Sequence, residues 1–475
     1  MKASTKQMTR RQALGFGAFA AVSLLAACGG EAAPTGTTAP SAPVSGASVP
    51  PTRATATTGQ GAVAASTASA SPVARPALQG KIQVMRGTGQ DQYWNDRAAD
   101  FKARTGVTAE MIITTGNVDD GTIPTALKSG SGPDVVNVNS GPSRVGFLAQ
   151  AGLIRPLVDA YATYNWEARL VPAALERLKN QGQIYQGKIW EFPATIDVIY
   201  WNYNKDIFAK VGINPPTTFD DMNANFERLK AAGIYPILLG ARSNTPPGWL
   251  FGNILQATAG RDAVADALFG SGKWDQPAFV QAAQVLGDWN KKQYIAPATT
   301  ALTDQESVPV FVNKQAATYC VGTWAIPTYT DQNADLANID SFVTPKITPT
   351  GSALPTGGFG NSWVIAAESK NPAAAAAWID YLFSDDVVKL NFDNPRNGNI
   401  PTVNVPTGVV PKTPLLSKAV DTLARVGSGY NPSVHLPAAV TSVYFESLQG
   451  IVTGLLAPEK AMANIEAARV KATQS

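Results

Sequence analysis

The sequence predicts an α/β fold, because short apolar runs alternate with segments that carry apolar residues at helical spacing. Glycine repeatedly follows the helical segments, as expected where a helix ends in a left-handed residue. Such alternation is typical of βα units and predicts a largely parallel sheet with ligands at its carboxyl edge. A length of 475 residues with 45% hydrophobic residues favours two or more cores.

The folded part is expected to begin near Lys81. Residues 81–85 have the composition of a buried strand, and the helix after them places Trp94 and Phe101 on one face before it ends at Gly106. Trp201 and Trp363 lie in apolar, strand-like runs and are expected in the core. The other predicted elements are strands at 107–113, 133–138 and 234–238, and helices at 122–128, 145–151, 226–232, 373–383 and 457–468.

Residues 1–27 have the features of an export signal. Four Lys and Arg residues precede an apolar run at 13–27, which is shorter than the ~20 residues of a membrane-spanning helix. Residues 25–28 resemble the lipobox of bacterial lipoproteins, which implies cleavage before Cys28 and lipid attachment to its sulfur. Residues 9–12 also resemble a twin-arginine signal, so either export route remains open.

Residues 28–80 consist almost entirely of Ala, Pro, Thr, Ser, Gly and Val. This composition cannot bury enough apolar surface to offset chain entropy, so we expect a disordered linker between the lipid anchor and the folded part. A flexible coil of this length spans roughly 40 Å.

Charge and composition exclude several classes of function. The 38 Lys and Arg residues fall to 34 once the four in the signal are removed, against 35 Asp and Glu, so the mature chain lacks the basic surface of a nucleic-acid-binding protein. The single histidine, His435, argues against zinc or haem sites, and we expect neither metal nor cofactor. Cys320 is expected in a buried strand, with no partner for a disulfide in the mature core.

Five motifs follow one another along the chain, at 101–107, 132–136, 152–157, 187–219 and 311–324. In this order they resemble the motifs of the extracellular solute-binding proteins of bacterial ABC importers. The similarity is to the branch typified by maltose-binding and other oligosaccharide-binding proteins. In the last motif Asn313 replaces the usual glycine.

This resemblance implies a two-lobed, periplasmic-binding-protein-like fold of class II type, with a ligand cleft between the lobes and hinge strands that cross between them. Lobe one would comprise residues 81–192 plus 362–400, and lobe two residues 197–357 plus 401–475. The crossings are expected near 192–198, 356–361 and 400.

The same resemblance and the chemistry of sugars suggest which residues bind the ligand. A pyranose has apolar faces, on which tryptophan stacks, and a rim of hydroxyls that bind carboxylates, amides and backbone groups. Arg396 is a weaker candidate and is expected in a surface loop. The predicted substrate-binding residues are Thr88, Gln90, Asn139 and Ser140 on lobe-one loops, Asp197, Gly358 and Asn361 at the crossings, and Trp249 and Trp324 in lobe two.

The function implied is capture of a mono- or oligosaccharide, without catalysis, for delivery to an ABC permease with a cytoplasmic ATPase. We expect an exported monomer that contacts the outer face of the cell membrane through its lipid alone. One alternative keeps the fold and changes the ligand to a peptide or glycerophosphodiester. Another is a lipid-anchored glycoside hydrolase, which needs two carboxylates flanking one bond.

Overall fold

The structure is a computed structural model that describes residues 78–115, 118, 121–184 and 187–474. The predicted signal at 1–27, the lipidation site Cys28 and the predicted linker up to residue 77 lie outside the described residues. No helix within the described ranges is both long and apolar enough to cross a membrane.

The strands of the described chain form two sheets. In chain order they are β1 (Lys81–Gly87), β2 (Thr108–Thr114), β3 (Val135–Asn139), β4 (Phe192–Pro193), β5 (Thr195–Asn204), β6 (Tyr235–Leu238), β7 (Ala316–Gly322), β8 (Ile339–Phe342), β9 (Thr356–Phe359), β10 (Asn361–Ile365) and β11 (Ile400–Pro401).

Helices cover both sheets. They are α1 (Asp91–Thr105), α2 (Thr122–Lys128), α3 (Phe147–Gln150), α4 (Val158–Tyr164), α5 (Trp166–Arg169), α6 (Pro172–Ile184), α7 (Lys205–Val211), α8 (Phe219–Ala231), α9 (Thr245–Ala259), α10 (Arg261–Phe269), α11 (Pro277–Lys291), α12 (Asp304–Val312), α13 (Ile326–Asp331), α14 (Pro372–Leu382), α15 (Asp385–Asp393), α16 (Pro414–Val426), α17 (Ala438–Val452) and α18 (Pro458–Gln474). A π-helical turn, Pro142–Gly146, precedes α3.

The first sheet has the order β2-β1-β3-β10-β4 and forms the centre of lobe one. Strand β1 is parallel to β2 and β3, whereas β10 is antiparallel to β3 and β4. Helix α1 packs on this sheet through Phe101, whose ring meets Trp378 edge-on at 5.2 Å, and it ends at Gly106, where φ is 78°. Trp363 is 1% exposed, which confirms its predicted place in the core.

The second sheet, at the centre of lobe two, has the order β11-β5-β7-β6, with β8 and β9 also paired to β5. Trp201 in β5 is fully buried, as predicted, and its indole N–H donates to Thr344 Oγ1 at 2.9 Å. Cys320 in β7 is also buried, as predicted, and burial raises the pKa of its thiol.

The predicted largely parallel arrangement is wrong for this second sheet. Strand β5 is antiparallel to β7, β8, β9 and β11, and the parallel pair is β6 with β7. The physical reason is the path of the chain. It enters lobe two along β5 and returns to lobe one along β9 and β10, so neighbouring strands run in opposite directions.

Two of the segments that cross between the lobes are hydrogen-bonded to each other. The first passes from β4 to β5 at Ala194, and the second from β9 to β10 at Gly360. The amide of Gly360 donates to Thr195 O at 3.0 Å, and that of Ala194 donates to Asn361 O at 2.8 Å. Paired strands of this kind leave a short, defined line about which the lobes can rotate.

Candidate ligand-binding site

A cleft of about 660 Å³ lies between the two lobes. This volume falls within the ~300–1,000 Å³ that small-molecule sites occupy. Its lobe-one wall comes from the loop after β1, the first turn of α1 and the first residue of β10. Its lobe-two wall comes from the turn after β7 and from α13. Carboxamide and hydroxyl groups of both lobes therefore face one space together with aromatic rings.

The loop after β1 is held in shape by Arg86, which is 3% exposed. Its guanidinium donates to the carbonyl oxygens of Gly87 and Gly89, each at 2.7 Å, and to Asp91 Oδ1 at 2.7 Å. Gln90 precedes α1 with φ 55° and makes no side-chain cap to the helix. The loop is thus fixed by a neighbouring side chain, and Gln90 extends into the cleft lining.

Aromatic rings form the rest of the lobe-one wall. Tyr93 and Trp94 meet edge-on with centroids 5.2 Å apart, and Trp94 packs against Trp363 at 5.8 Å. The hydroxyl of Tyr93 donates to Asn391 Oδ1 at 2.5 Å, and burial raises the pKa of that hydroxyl to about 12. Tyr93 therefore stays neutral at physiological pH and links α1 to α15.

Trp324 provides the aromatic surface of the lobe-two wall. It follows β7 directly and is half-buried, and its indole folds back over Gly322, where a Cβ would overlap the ring. The backbone angles of Gly322 suit any residue, so glycine is required there for space rather than for conformation. Trp249 packs edge-on against Trp324 with centroids 5.0 Å apart. The indole is fixed by Trp249 and Gly322 and lines the cleft.

An asparagine-rich segment closes one end of the cleft. Asn397 accepts from the amide of Asn399 at 3.0 Å and donates to its carbonyl at 3.1 Å, which gives the loop a rigid turn. Arg396 is exposed, as predicted for a surface loop, and forms an ion pair with Asp331 of α13. Exposed pairs contribute little stability, so the turn rather than the ion pair fixes this segment. The asparagines that line the cleft here are Asn391, Asn394, Asn397 and Asn399.

Five of the nine predicted substrate-binding residues line the cleft. They come from four separate parts of the chain, which the fold brings together. These residues are Thr88, Gln90, Asn139, Trp324 and Asn361.

The other four lie outside the lining. Trp249 supports Trp324 from behind, and Gly358 is buried in β9 opposite Asp197. Ser140 is fully buried and donates to Glu191 Oε2 at 2.6 Å. Ser140 therefore takes part in the interior of lobe one in this structure.

Asp197 lies on β5 next to the crossing segments. Its Oδ1 occupies the space that a Cβ on Gly360 would fill, so the second crossing passes directly over this carboxyl group. Burial raises the pKa of Asp197 to about 7. Asp197, the predicted acid, therefore lies at the hinge and does not line the cleft.

A family model described as bacterial extracellular solute-binding protein matches residues 87–389. The chain belongs to this family. Membership implies export, and the relatives of this solute-binding protein are binding proteins rather than enzymes.

Individual proteins are similar to this solute-binding protein over much of its length. It is 24% identical over 337 residues to an uncharacterized ABC transporter extracellular-binding protein of Pyrococcus horikoshii, covering 69% of this chain and 71% of the relative. It is 24% identical over 295 residues to the multiple sugar-binding protein of Streptococcus mutans, covering 58% and 64%. A solved chitin oligosaccharide binding protein matches with a TM-score of 0.71 at 24% identity, over 83% of this chain and 99% of that one. The predicted two-lobed fold is confirmed.

Sequence reasoning missed several lining residues of the solute-binding protein. Trp94 was expected on the apolar face of its helix, and it does pack against the core of lobe one. The first turn of a helix that follows a strand also lies at the ligand edge, and both Tyr93 and Trp94 meet the cleft there. The position of Tyr93 and Trp94 directly after a strand and its loop could therefore have been used to predict that they line the cleft. The asparagines between 391 and 399 lie at the end of α15 and in the loop after it, and the sequence offered no signal that this segment reaches the cleft.

Proposed function

We propose that this protein captures a neutral mono- or oligosaccharide in the cleft between its lobes and delivers it to an ABC permease. The observation that carries the proposal is the pairing of an indole face in lobe two with amide and hydroxyl groups in lobe one around one space. The similarity to a multiple sugar-binding protein and to a chitin oligosaccharide binding protein supports a sugar over other solutes.

The charges of the cleft also support an uncharged ligand. Among the described residues that line it, Asp331 is the one carboxylate, and Arg396 already neutralises it. The guanidinium of Arg86 is committed to two carbonyl groups and to Asp91. Arg144 also lines the cleft, and its guanidinium donates to Ser143 Oγ at 3.0 Å. The rest of the polar lining consists of carboxamides and hydroxyls, which both donate and accept hydrogen bonds, as sugar hydroxyls do.

The proposal includes no catalytic step. Hydrolysis of a glycosidic bond uses two carboxylates about 5 to 9.5 Å apart that flank the bond. The one carboxylate in the described lining, Asp331, is ion-paired with Arg396, which supports a role in binding rather than in hydrolysis.

The ligand would act by joining the lobes. We propose lobe one as residues 81–192 plus 362–400 and lobe two as 197–357 plus 401–475, with rotation about the crossings at Ala194 and Gly360. A ligand shifts such an equilibrium only through its differential affinity for the two states, so it must contact both walls. A monomer in the closed, loaded form would then be recognised by the permease, whose cytoplasmic ATPase supplies the energy.

A panel of solutes tests the function. We expect the melting temperature of the purified protein to rise with at least one of the oligosaccharides of N-acetylglucosamine, glucose, xylose or galactose, because a ligand that binds only the folded state adds about 2.7 kcal/mol at a hundredfold excess over Kd. Tripeptides and glycerophosphocholine serve as comparison solutes. A response to one of these, with none to any sugar, would replace the sugar assignment with another solute class.

Anchoring is a separate proposal, since residues 1–77 lie outside the described part of the structure. We propose cleavage before Cys28 and lipid attachment to its sulfur, with residues 28–80 as linker to the folded part. In cells, Cys28→Ser is expected to move the protein from the membrane fraction to the soluble exported fraction, as measured by fractionation. An unchanged membrane association would contradict lipid anchoring at this residue.

A further inference from the structure

Arg177 belongs to α6 in lobe one, but its hydrogen bonds are made to lobe two. The side chain is 5% exposed and does not line the cleft. Its Nη1 donates to Gly357 O at 2.9 Å, and its Nη2 donates to Ser428 Oγ at 2.8 Å and to Gly429 O at 2.9 Å. A buried side chain of one lobe thus donates to two backbone carbonyls and one side-chain hydroxyl of the other.

Tyr430 strengthens this connection by lying between two arginines. The guanidinium of Arg177 is 4.9 Å from the centroid of the Tyr430 ring, and that of Arg261, from lobe two, is 4.8 Å from it. Arg261 also approaches Glu176 Oε1 of α6 at 3.7 Å. Cation–π contacts gain strength when both partners are desolvated, and Tyr430 is 2% exposed. Arg177 of lobe one and Arg261 of lobe two therefore each contact residues of the opposite lobe.

The contacts are made beside the hinge itself. Gly357 lies in β9, three residues before the crossing at Gly360, and a Cβ on Gly357 would come within 2.9 Å of Ser428. Burial lowers the pKa of Arg177 to about 10, so it remains cationic at neutral pH. Rotation of the lobes about the crossings would change the distances from α6 to β9 and to the 428–430 loop.

We propose that Arg177 is a positioning residue for ligand capture, which holds the two lobes in the arrangement seen here from outside the cleft. The expected effect of Arg177 on affinity rests on the proposed function, whereas its effect on the arrangement of the lobes does not. When a fraction f of the protein is in the binding-competent arrangement, the apparent Kd is the intrinsic Kd divided by f. Loss of Arg177 lowers f and so weakens binding without touching the ligand.

Distances between spin labels test this directly without any ligand. The full chain carries Cys28→Ala with labels at Lys102→Cys in α1 and Asp220→Cys in α8, while Cys320 is buried and stays unlabelled. We expect Arg177→Met to broaden the interlobe distance distribution and Arg177→Lys to restore it in part. Arg155→Met is the matched control, because Arg155 donates to Ala366 O and Ala367 O within lobe one. It should leave the distribution unchanged.

Two further measurements make the outcome decisive. Arg261→Gln removes a half-exposed arginine and should also broaden the interlobe distance distribution, but by less. This variant covers the case that Arg177→Met does not fold. For a sugar that binds the unsubstituted protein, a fall in f to one tenth gives a tenfold higher Kd. Unchanged distances in folded Arg177→Met and Arg261→Gln would overturn the proposal. Failure of every sugar to bind would overturn the proposed ligand and leave the distance result standing.

Discussion

Replacing Trp324 by alanine is expected to weaken sugar binding by about thirty- to a hundredfold while the protein stays folded. Aromatic side chains at the centre of a binding site typically cost 2 kcal/mol or more when truncated, and 1.4 kcal/mol corresponds to a tenfold change in Kd. Trp324 is half-buried at the cleft wall, so its loss removes a stacking face and little of the core. Isothermal titration with the sugar that raises the melting temperature most measures the effect.

Two variants separate stacking from general damage. Trp190→Ala removes another half-buried tryptophan that does not line the cleft, and it should leave Kd within about twofold. Gly322→Ala leaves the indole in the sequence but forces it off its position, because the new Cβ would overlap the ring. We expect about a tenfold loss there. Equal losses in Trp190→Ala and Trp324→Ala would show that the indole face is not a binding surface.

The sequence revealed the parts of this site that depend on local pattern. The loop after β1 and the end of β3 were predicted at the ligand edge because strands and helices alternate, and Thr88, Gln90 and Asn139 do line the cleft. Trp324 was found through the motif that contains Gly322. The structure adds the reason for that glycine, which is the close approach of the ring.

Side-chain direction was harder to predict than position along the chain. Asn139 and Ser140 are neighbours, and both were expected in the cleft, but side chains in an extended segment alternate between two sides. Asn139 therefore lines the cleft, while Ser140 faces Glu191 in the interior. Applying this two-residue alternation from β3 through residue 140 would have predicted Asn139 and Ser140 on opposite sides.

Long-range topology accounts for the rest of what the sequence left open. The direction of β5 relative to its neighbours depends on where the chain crosses between lobes, which no local period records. Arg177 likewise resembles any helical arginine in the sequence, and its partners Gly357 and Gly429 lie far away along the chain. Such contacts follow only from the assembled lobes.

Replacing Glu191 by glutamine is expected to stabilise the folded protein by about 3 to 4 kcal/mol at pH 8. Glu191 is fully buried, its Oε2 accepts from Ser140, and its Oε1 has no partner among the described residues. Burial raises the pKa of Glu191 to about 7, against the hydrogen bond from Ser140 that lowers it. An ionised carboxylate in this place costs free energy, and the isosteric amide removes that cost.

The sign of the pH dependence follows from the two pKa values. The unfolded chain has a glutamate pKa of about 4.3, so between about pH 4.3 and 7 the folded protein binds the proton more tightly. The free energy of unfolding therefore falls as the pH rises through this range, by up to about 4 kcal/mol for this group. Glu191→Gln should gain nothing at pH 4 and its full stabilisation above pH 7.

Urea unfolding of both proteins between pH 4 and pH 8 measures this difference. Two other buried groups also change stability with pH: Asp197 titrates in the same range, and His435, whose pKa is lowered, contributes with the opposite sign. Both groups are present in both proteins, so their contributions cancel and the difference isolates Glu191. Glu110→Gln is the control, since Glu110 is 44% exposed and pairs with Lys81 at the surface, and it should change stability by less than about 0.5 kcal/mol. A Glu191→Gln protein less stable than the unsubstituted one at pH 8 would mean that the charge of Glu191 is satisfied, and that this buried carboxylate stabilises lobe one rather than straining it.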